Sequence, residues 1–228
     1  MEIHKPKPWH GLREFLKEYA IIVVGVLTAL GAEQAAEWGH RTEEVAQARK
    51  ALHREIAYDA RAALIGARED ACYRDLLLQY AVWARGGPKP AFNLGRLSLP
   101  DVRTPVWDVA KSTAVANMDL DERFAFASFY GQAANQNTLV ANTRTASGQL
   151  AGYAFLDKLS PEQAGALLQD IGMLRTLLVI KSGNWSALVS MARKLGVEPE
   201  PAPPGFTARV DDVCAGAAGR TVPQGGTR

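Results

Sequence analysis

Three patterns of apolar and polar positions run along this chain. The first is an uncharged stretch from Tyr19 to Ala32, whose centre, IIVVGVL, is apolar on every helical face. An amphipathic helix of a soluble protein would keep a polar side there. At 1.5 Å per residue the uncharged run covers roughly 21 Å, short of the roughly 30 Å of a bilayer's hydrocarbon core. Its flanks lengthen it. Phe15 and Leu16 extend it on one side, and Ala35 and Ala36 on the other. Lys17 can lift its ammonium to the headgroups while its stem stays apolar. Tyr19 and Trp38 stand near the two ends, where amphipathic rings favour the interface. Two other readings compete. A signal peptide has support from Lys5, Lys7, Arg13 and Lys17 and from a small-x-small site at Ala29-Leu30-Gly31, but Glu14 and Glu18 interrupt the basic arm. A helix buried in a soluble core also fits the bare length. The flanks favour an uncleaved membrane span over residues 11–38.

The second pattern is helical and continues beyond the span. Val45, Leu52, Ile56 and Ala63 keep a heptad-compatible spacing, and Leu76, Leu77, Tyr80 and Trp83 prolong an apolar face. Gly66 is a candidate break. Gly86-Gly87-Pro88 ends the pattern, since glycine supplies a left-handed cap and proline cannot extend a helix. Residues 86–103 read as a loop. Thr104-Pro105 opens a short helix over PVWDVAKSTAVANM. Asp119 with Glu122 makes a loose capping box for a helix from about Leu120 to Phe155. The aromatic cluster Phe124, Phe126, Phe129 and Tyr130 reads as core. The amide-rich middle of that helix leaves room for only a narrow buried stripe.

The third pattern is the cleanest. Ser160-Pro161-Glu162-Gln163 starts a helix with a cap hydroxyl, a proline and a Gln to close the box. Leu167, Ile171, Leu174, Leu178, Lys181, Trp185, Leu188, Ala192 and Leu195 then alternate four and three, which is a heptad seam. Lys181, beside Ser182-Gly183-Asn184, predicts a kink or a polar site that sets register. Gly196 stops the helix. The Pro-rich segment after it reads as extended, with the last ten or so residues disordered. The expected fold is therefore all-α: an N-terminal transmembrane helix continues into a long helix, packed with antiparallel long helices as a bundle. The expected layout is a tail over 1–10, the anchor over 11–38, the bundle over 39–198 and a Pro-rich extended tail over 199–228.

Charge adds little direction. The formal net charge is +2, and the basic residues are interspersed with acids, which argues against a nucleic-acid partner. REIAYDARAALIGARED alternates in sign, as a solvated helix face does. Four basic residues precede the span closely, so the N-terminus is expected in the cytoplasm and the bulk of the chain in the periplasm. Within the span, Gly25, Ala29, Ala32 and Ala36, with Gly39 beyond, lie on one stripe. Small residues so placed let two helix backbones approach closely in lipid. Glu33 reads as the water boundary of the span, although an acid at membrane depth can relay protons.

Catalytic chemistry does not emerge. His4, His10, His40 and His53 have no metal-ligand spacing. No nucleophile elbow, phosphate loop or dinucleotide fingerprint occurs. Asp119, Asp121 and Glu122 suit helix capping, and Trp107 and Trp185 read as core or seam anchors. No cofactor and no small-molecule substrate is expected. Cys72 and Cys214 are the only cysteines. If the domain is exported, a disulfide between them would pin the tail onto the bundle; otherwise they are two unrelated thiols.

The stretches FLKEYAIIVVGVLTALGAEQAAEW and VWDVAKSTAVANMDLDERFAFASFY resemble a group of uncharacterised bacterial single-span membrane proteins with a short basic arm, one span and a helical domain. The shared core is Ile22, Gly25, Val26, Leu27, Ala29 and Leu30. Where that group has an Asn/Trp/Glu cluster after the span, this chain has Glu33, Gln34 and Trp38. The resemblance implies a bacterial source and an inner-membrane anchor, and it brings no activity. The function expected is a membrane-anchored, non-enzymatic helical module for interaction, scaffolding or sensing, as a homo-oligomer or with a partner membrane protein. The alternative is an accessory subunit of an ion-driven membrane complex, with Glu33 as the coupling acid.

Overall fold

The computed structural model describes residues 11–91, 100–203, 210–211 and 214–215. The expected N-terminal tail over 1–10 and the expected disorder at the C-terminal end lie outside these residues. All the regular elements described are helical: α1 (Leu12–Ala84), α2 (Pro105–Ala110), a 3-10 turn (Ala114–Asn117), α3 (Leu120–Tyr153) and α4 (Pro161–Lys194). The chain divides into two compact units, Met1–Gln47 and Ala48–Arg228, and α1 contributes to both.

In the first unit the helix stands unpacked. From Gly11 to Glu44 each residue is exposed except Val23, which is half-buried. α1 is long and apolar enough to cross a membrane, and its most apolar window is 0% buried. Phe15, Ile22, Leu27 and Trp38 are all more than half exposed. Several of its polar side chains bond within the helix. Thr28 donates to the Val24 carbonyl at 2.8 Å, and Arg41 pairs with Glu37 one turn away.

The second unit is a bundle of three long helices. Matching levels fix their directions. Arg49 pairs with Glu122, His53 meets Phe126 and Tyr130 donates to Glu55, so α3 runs in the same sense as this part of α1. Lys181 pairs with Asp70, and Glu200 donates its amide to the Ala57 carbonyl, so α4 runs the other way. Val102 to Trp107 therefore lie back at the level of Glu55 and Asp59, well before the end of α1. Leu77 and Tyr80 of α1 share a core with Leu150 of α3 and with Leu167, Leu174 and Leu178 of α4, and Leu52, Ile56, Phe126 and Phe129 are fully buried. Each seam position from Leu167 to Ala192 is buried, and Leu195 caps the helix. Only one stripe of α3 is buried through its amide-rich middle: Gln136, Leu139, Val140 and Thr143. Phe124 departs from expectation. It is 62% exposed, because the core-facing turns of α3 are those carrying Phe126, Phe129 and Tyr130.

Helix ends follow the sequence in three places and not in two. Ser160 and Gln163 form the reciprocal capping box, at 3.2 and 2.9 Å. Gly86 (φ 91°) and Gly196 (φ 73°) adopt the left-handed cap, with the paired 6→1 and 5→2 bonds from Gly87 and Gly86 and from Val197 and Gly196. Thr104 and Asp119 make no side-chain cap bond. The Thr104 hydroxyl donates to Asp108 at 3.0 Å instead, and Glu122 is drawn to Arg49. The predicted short helix stops at Ala110 and continues only as the 3-10 turn. α1 passes Gly66 unbroken, and α4 passes 181–184 unbroken, so the break expected at Gly66 does not occur.

Candidate functional site

The sequence expectation of a solvated charged face on α1 is overturned. Glu55, Asp59, Glu69 and Asp70 are all buried. Glu55 and Asp59 are one turn apart and face the returning segment. Glu55 accepts from the backbone amides of Val106 (3.0 Å) and Trp107 (3.3 Å) and from the Tyr130 hydroxyl (2.8 Å). It supplies, across space, the anion that a helix N-terminus attracts, which is why Thr104 is not needed as the cap of α2. Asp59 accepts from the Arg103 amide at 2.9 Å through one oxygen, and its other oxygen is buried without a partner. Asn137 of α3 completes the hold, accepting from the Val102 amide and donating to the Val102 carbonyl, both at 2.8 Å. Trp107 stacks on Tyr130 at 4.7 Å, and the Arg103 guanidinium lies 3.5 Å over the Tyr58 ring. Burial, then the charge of Glu55, pushes Asp59 up to about 8, against the opposing hydrogen bond from Arg103. Burial and then its bond to Glu55 push the Tyr130 hydroxyl upward.

Asp70 occupies a second polar site deeper in the bundle. One oxygen pairs with Lys181 Nζ at 2.8 Å, and the other accepts from Trp185 Nε1 at 3.1 Å. Both charged side chains are 1–2% exposed. Burial raises Asp70, while Lys181 and Trp185 oppose the shift. Of the two expectations at Lys181, the structure shows a buried polar site. The Trp185 ring lies on Gly66, where a Cβ would come within 2.5 Å of it. Gly66 is there for that close approach.

Cys72 and Cys214 sit at disulfide-bonding distance, with 5.0 Å between their Cα atoms. The described residues after α4 meet α1 at successive levels. Glu200 reaches Ala57 and Arg61, Asp211 pairs with Arg68, and Cys214 meets Cys72. Residues 199–203 carry no helix, as expected of a Pro-rich stretch, but 210–211 and 214–215 are helical and Val210 is buried.

Gly25, Ala29, Ala32 and Ala36 fall on one exposed face of the first unit's helix, and open space surrounds Gly25. Glu33 is exposed beside them. Among the described residues, open grooves of about 500 Å³ lie between α1 and α4 at Leu64, Trp185 and Val189, and at Trp83 and Pro161. Among the described residues no three His, Cys, Asp or Glu side chains are placed to hold a metal ion. Comparison with family models, curated proteins and solved structures finds no match. What this chain does must be argued from its own residues.

The buried acids are the residues that sequence reasoning missed. A signal for them was present: Glu55 and Asp59 are spaced i, i+4 and lie among Leu52, Ile56 and Ala63, the apolar positions of the same helix.

Proposed function

We propose that this protein is a membrane-anchored, non-enzymatic helical module, with residues 11–38 in the bacterial inner membrane and the bundle in the periplasm. The observation that carries the reading is the unpacked apolar window of α1. An exposed apolar surface of that length is unfavourable in water and needs lipid to cover it. The bonding distance between Cys72 and Cys214 supports an oxidising compartment for the bundle. Glu55, Asp70, Lys181 and Asn137 are taken up in fastening the bundle's own segments, which suits a scaffold, an interaction module or a sensor that passes its signal to a partner. The stripe of Gly25, Ala29, Ala32 and Ala36 supports lateral association of the span with a second copy or another membrane protein.

Carbonate washing of bacterial membranes tests the anchor. Full-length protein at its uncut mass should stay in the pellet. A soluble species beginning near Ala32 would sink the reading. Protease added to spheroplasts should digest the bundle, and a bundle protected until lysis would reverse the orientation.

A further inference from the structure

We propose that Asp59 and Glu55 form a proton-operated clamp on segment 102–107: a proton bound at Asp59 holds the segment on α1, and loss of that proton to solvent frees it. The clamp is built for one state. Asp59 is fully buried, and only one of its oxygens has a partner. Glu55, one turn away on the same face, is already surrounded by three donors. Two buried carboxylates at that spacing oppose each other when both are ionised. The charged groups acting on Asp59 are Glu55 on α1 and Arg103 on the held segment. The Arg103 guanidinium lies on the face of Tyr58, so its backbone amide makes the hydrogen bond to Asp59 and its charge opposes the upward shift only as the weakest of the influences on Asp59. From α3 the facing groups are the Tyr130 hydroxyl, which donates to Glu55, and the neutral Asn137, which holds Val102.

Lifting the segment exposes Asp59 to water and returns it to an ordinary carboxylate. The two states therefore bind a proton with different strength, and proton concentration sets their ratio. Asp59 stands at about 8 when held, against an ordinary value of 3.8. The held state is thus fully favoured below about pH 4. Its advantage falls up to ten-fold per pH unit as the pH rises to about 8, then levels off. His53, also on α1, is pulled down by burial, so its own titration weakens the fold as the pH falls and has the opposite sign.

The freed segment would uncover Val102, Ala110 and Val115, which are buried when it is held. The test uses the full chain in lipid nanodiscs, with hydrogen-exchange protection factors for the amides of Arg103, Val106 and Trp107 corrected for intrinsic exchange. Between about pH 5 and about pH 8 their opening should increase by one to three orders of magnitude, while α4 seam amides change little. Asp59→Asn, which mimics the proton-bound form, should hold the segment at all these values. A flat wild-type profile, or the same slope in Asp59→Asn, would overturn the proposal. If that variant does not fold, infrared spectra of the wild type decide. A protonated carboxyl band should persist near about pH 6 and be lost by about pH 9, and its absence at the lower value would be equally fatal.

Discussion

Lys181→Met isolates the charge that Lys181 contributes. Methionine matches the length of the lysine stem, so it fills the same space between α1 and α4 and leaves almost no cavity. What it removes is the cation 2.8 Å from Asp70, in a site where both side chains are 1–2% exposed. Asp70 then keeps only the Trp185 N–H. It must stay ionised and unpaired in a dry site, or take up a proton. Removing one partner of a buried pair costs about 3–5 kcal/mol, mostly from the charge left behind. Asp70→Asn should cost a similar amount, because it strands the ammonium. In the double variant no charge remains, and the carbonyl oxygen of the introduced amide can still accept from Trp185. It should recover to within about 1 kcal/mol of the wild type. The sign with pH follows. Without Lys181 the folded-state value of Asp70 rises further, so Lys181→Met should be least damaging in acid. Its deficit should grow as the pH rises from the ordinary carboxylate range towards that raised value. Urea unfolding of the full chain in detergent, followed by far-UV circular dichroism, reads all four proteins. Single variants that each lose under about 1 kcal/mol, or a double variant that loses their sum, would refute the assignment of the pair as a charge-balanced lock.

Gly66→Ala should lower the melting temperature, with a loss of about 1–3 kcal/mol, because its Cβ would enter the Trp185 ring while that ring is held by Asp70; a stabilised variant, as helix propensity alone would give, would be the contrary result. Reduction with dithiothreitol should lower the urea midpoint and slow the band on non-reducing gels. In the chain-entropy model, closing a separation of 142 residues is worth up to about 5 kcal/mol. Gly25→Ile with Ala29→Ile should weaken crosslinked oligomers in native membranes by blocking close backbone approach, and an unchanged ladder would reduce the stripe to composition.

What the sequence disclosed is what periodicity encodes. The α4 seam came out position by position, because a heptad read along one helix needs no partner to be recognised. The Ser160 box and the Gly86 and Gly196 caps were legible for the same reason: their bonds close within six residues. Thr104 and Asp119 misled because a cap can be replaced across space, by Glu55 in one case, and because a carboxylate can be taken by a stronger partner, as Arg49 takes Glu122. The alternating charges of α1 misled more seriously. Sign alternation says nothing about which side of a helix is covered, and the apolar stripe that could have decided it is thinned by Ala60, Ala62, Ala63 and Gly66. A stripe of small residues looks weak as a core, yet small residues are what let three other segments come close enough for Glu55, Asp59 and Asp70 to reach them.

That arrangement explains how α1 organises a bundle whose apolar surfaces are not very distinctive. Leucine seams accept neighbours in several registers, since hydrophobic contact is not directional. The polar groups of α1 discriminate. At successive levels Arg49 takes the start of α3, Glu55 the start of α2, Asp59 the returning segment, Arg61 the chain after α4, Arg68 its continuation and Asp70 the middle of α4. A slip by one helical turn would leave several of these groups buried and unmatched, each costing about 1–3 kcal/mol or more when charged. The exposed pair Arg68–Asp211, and Arg61–Glu200 with its exposed acid, contribute little stability of their own. They lie on the stretch that brings Cys214 to Cys72, so their effect is to deliver the C-terminal segment to the place where a covalent bond can fix it. Asp59 stands apart in this series. It is the one whose second oxygen has no partner, so it is where proton uptake changes the fit of a segment rather than merely its strength.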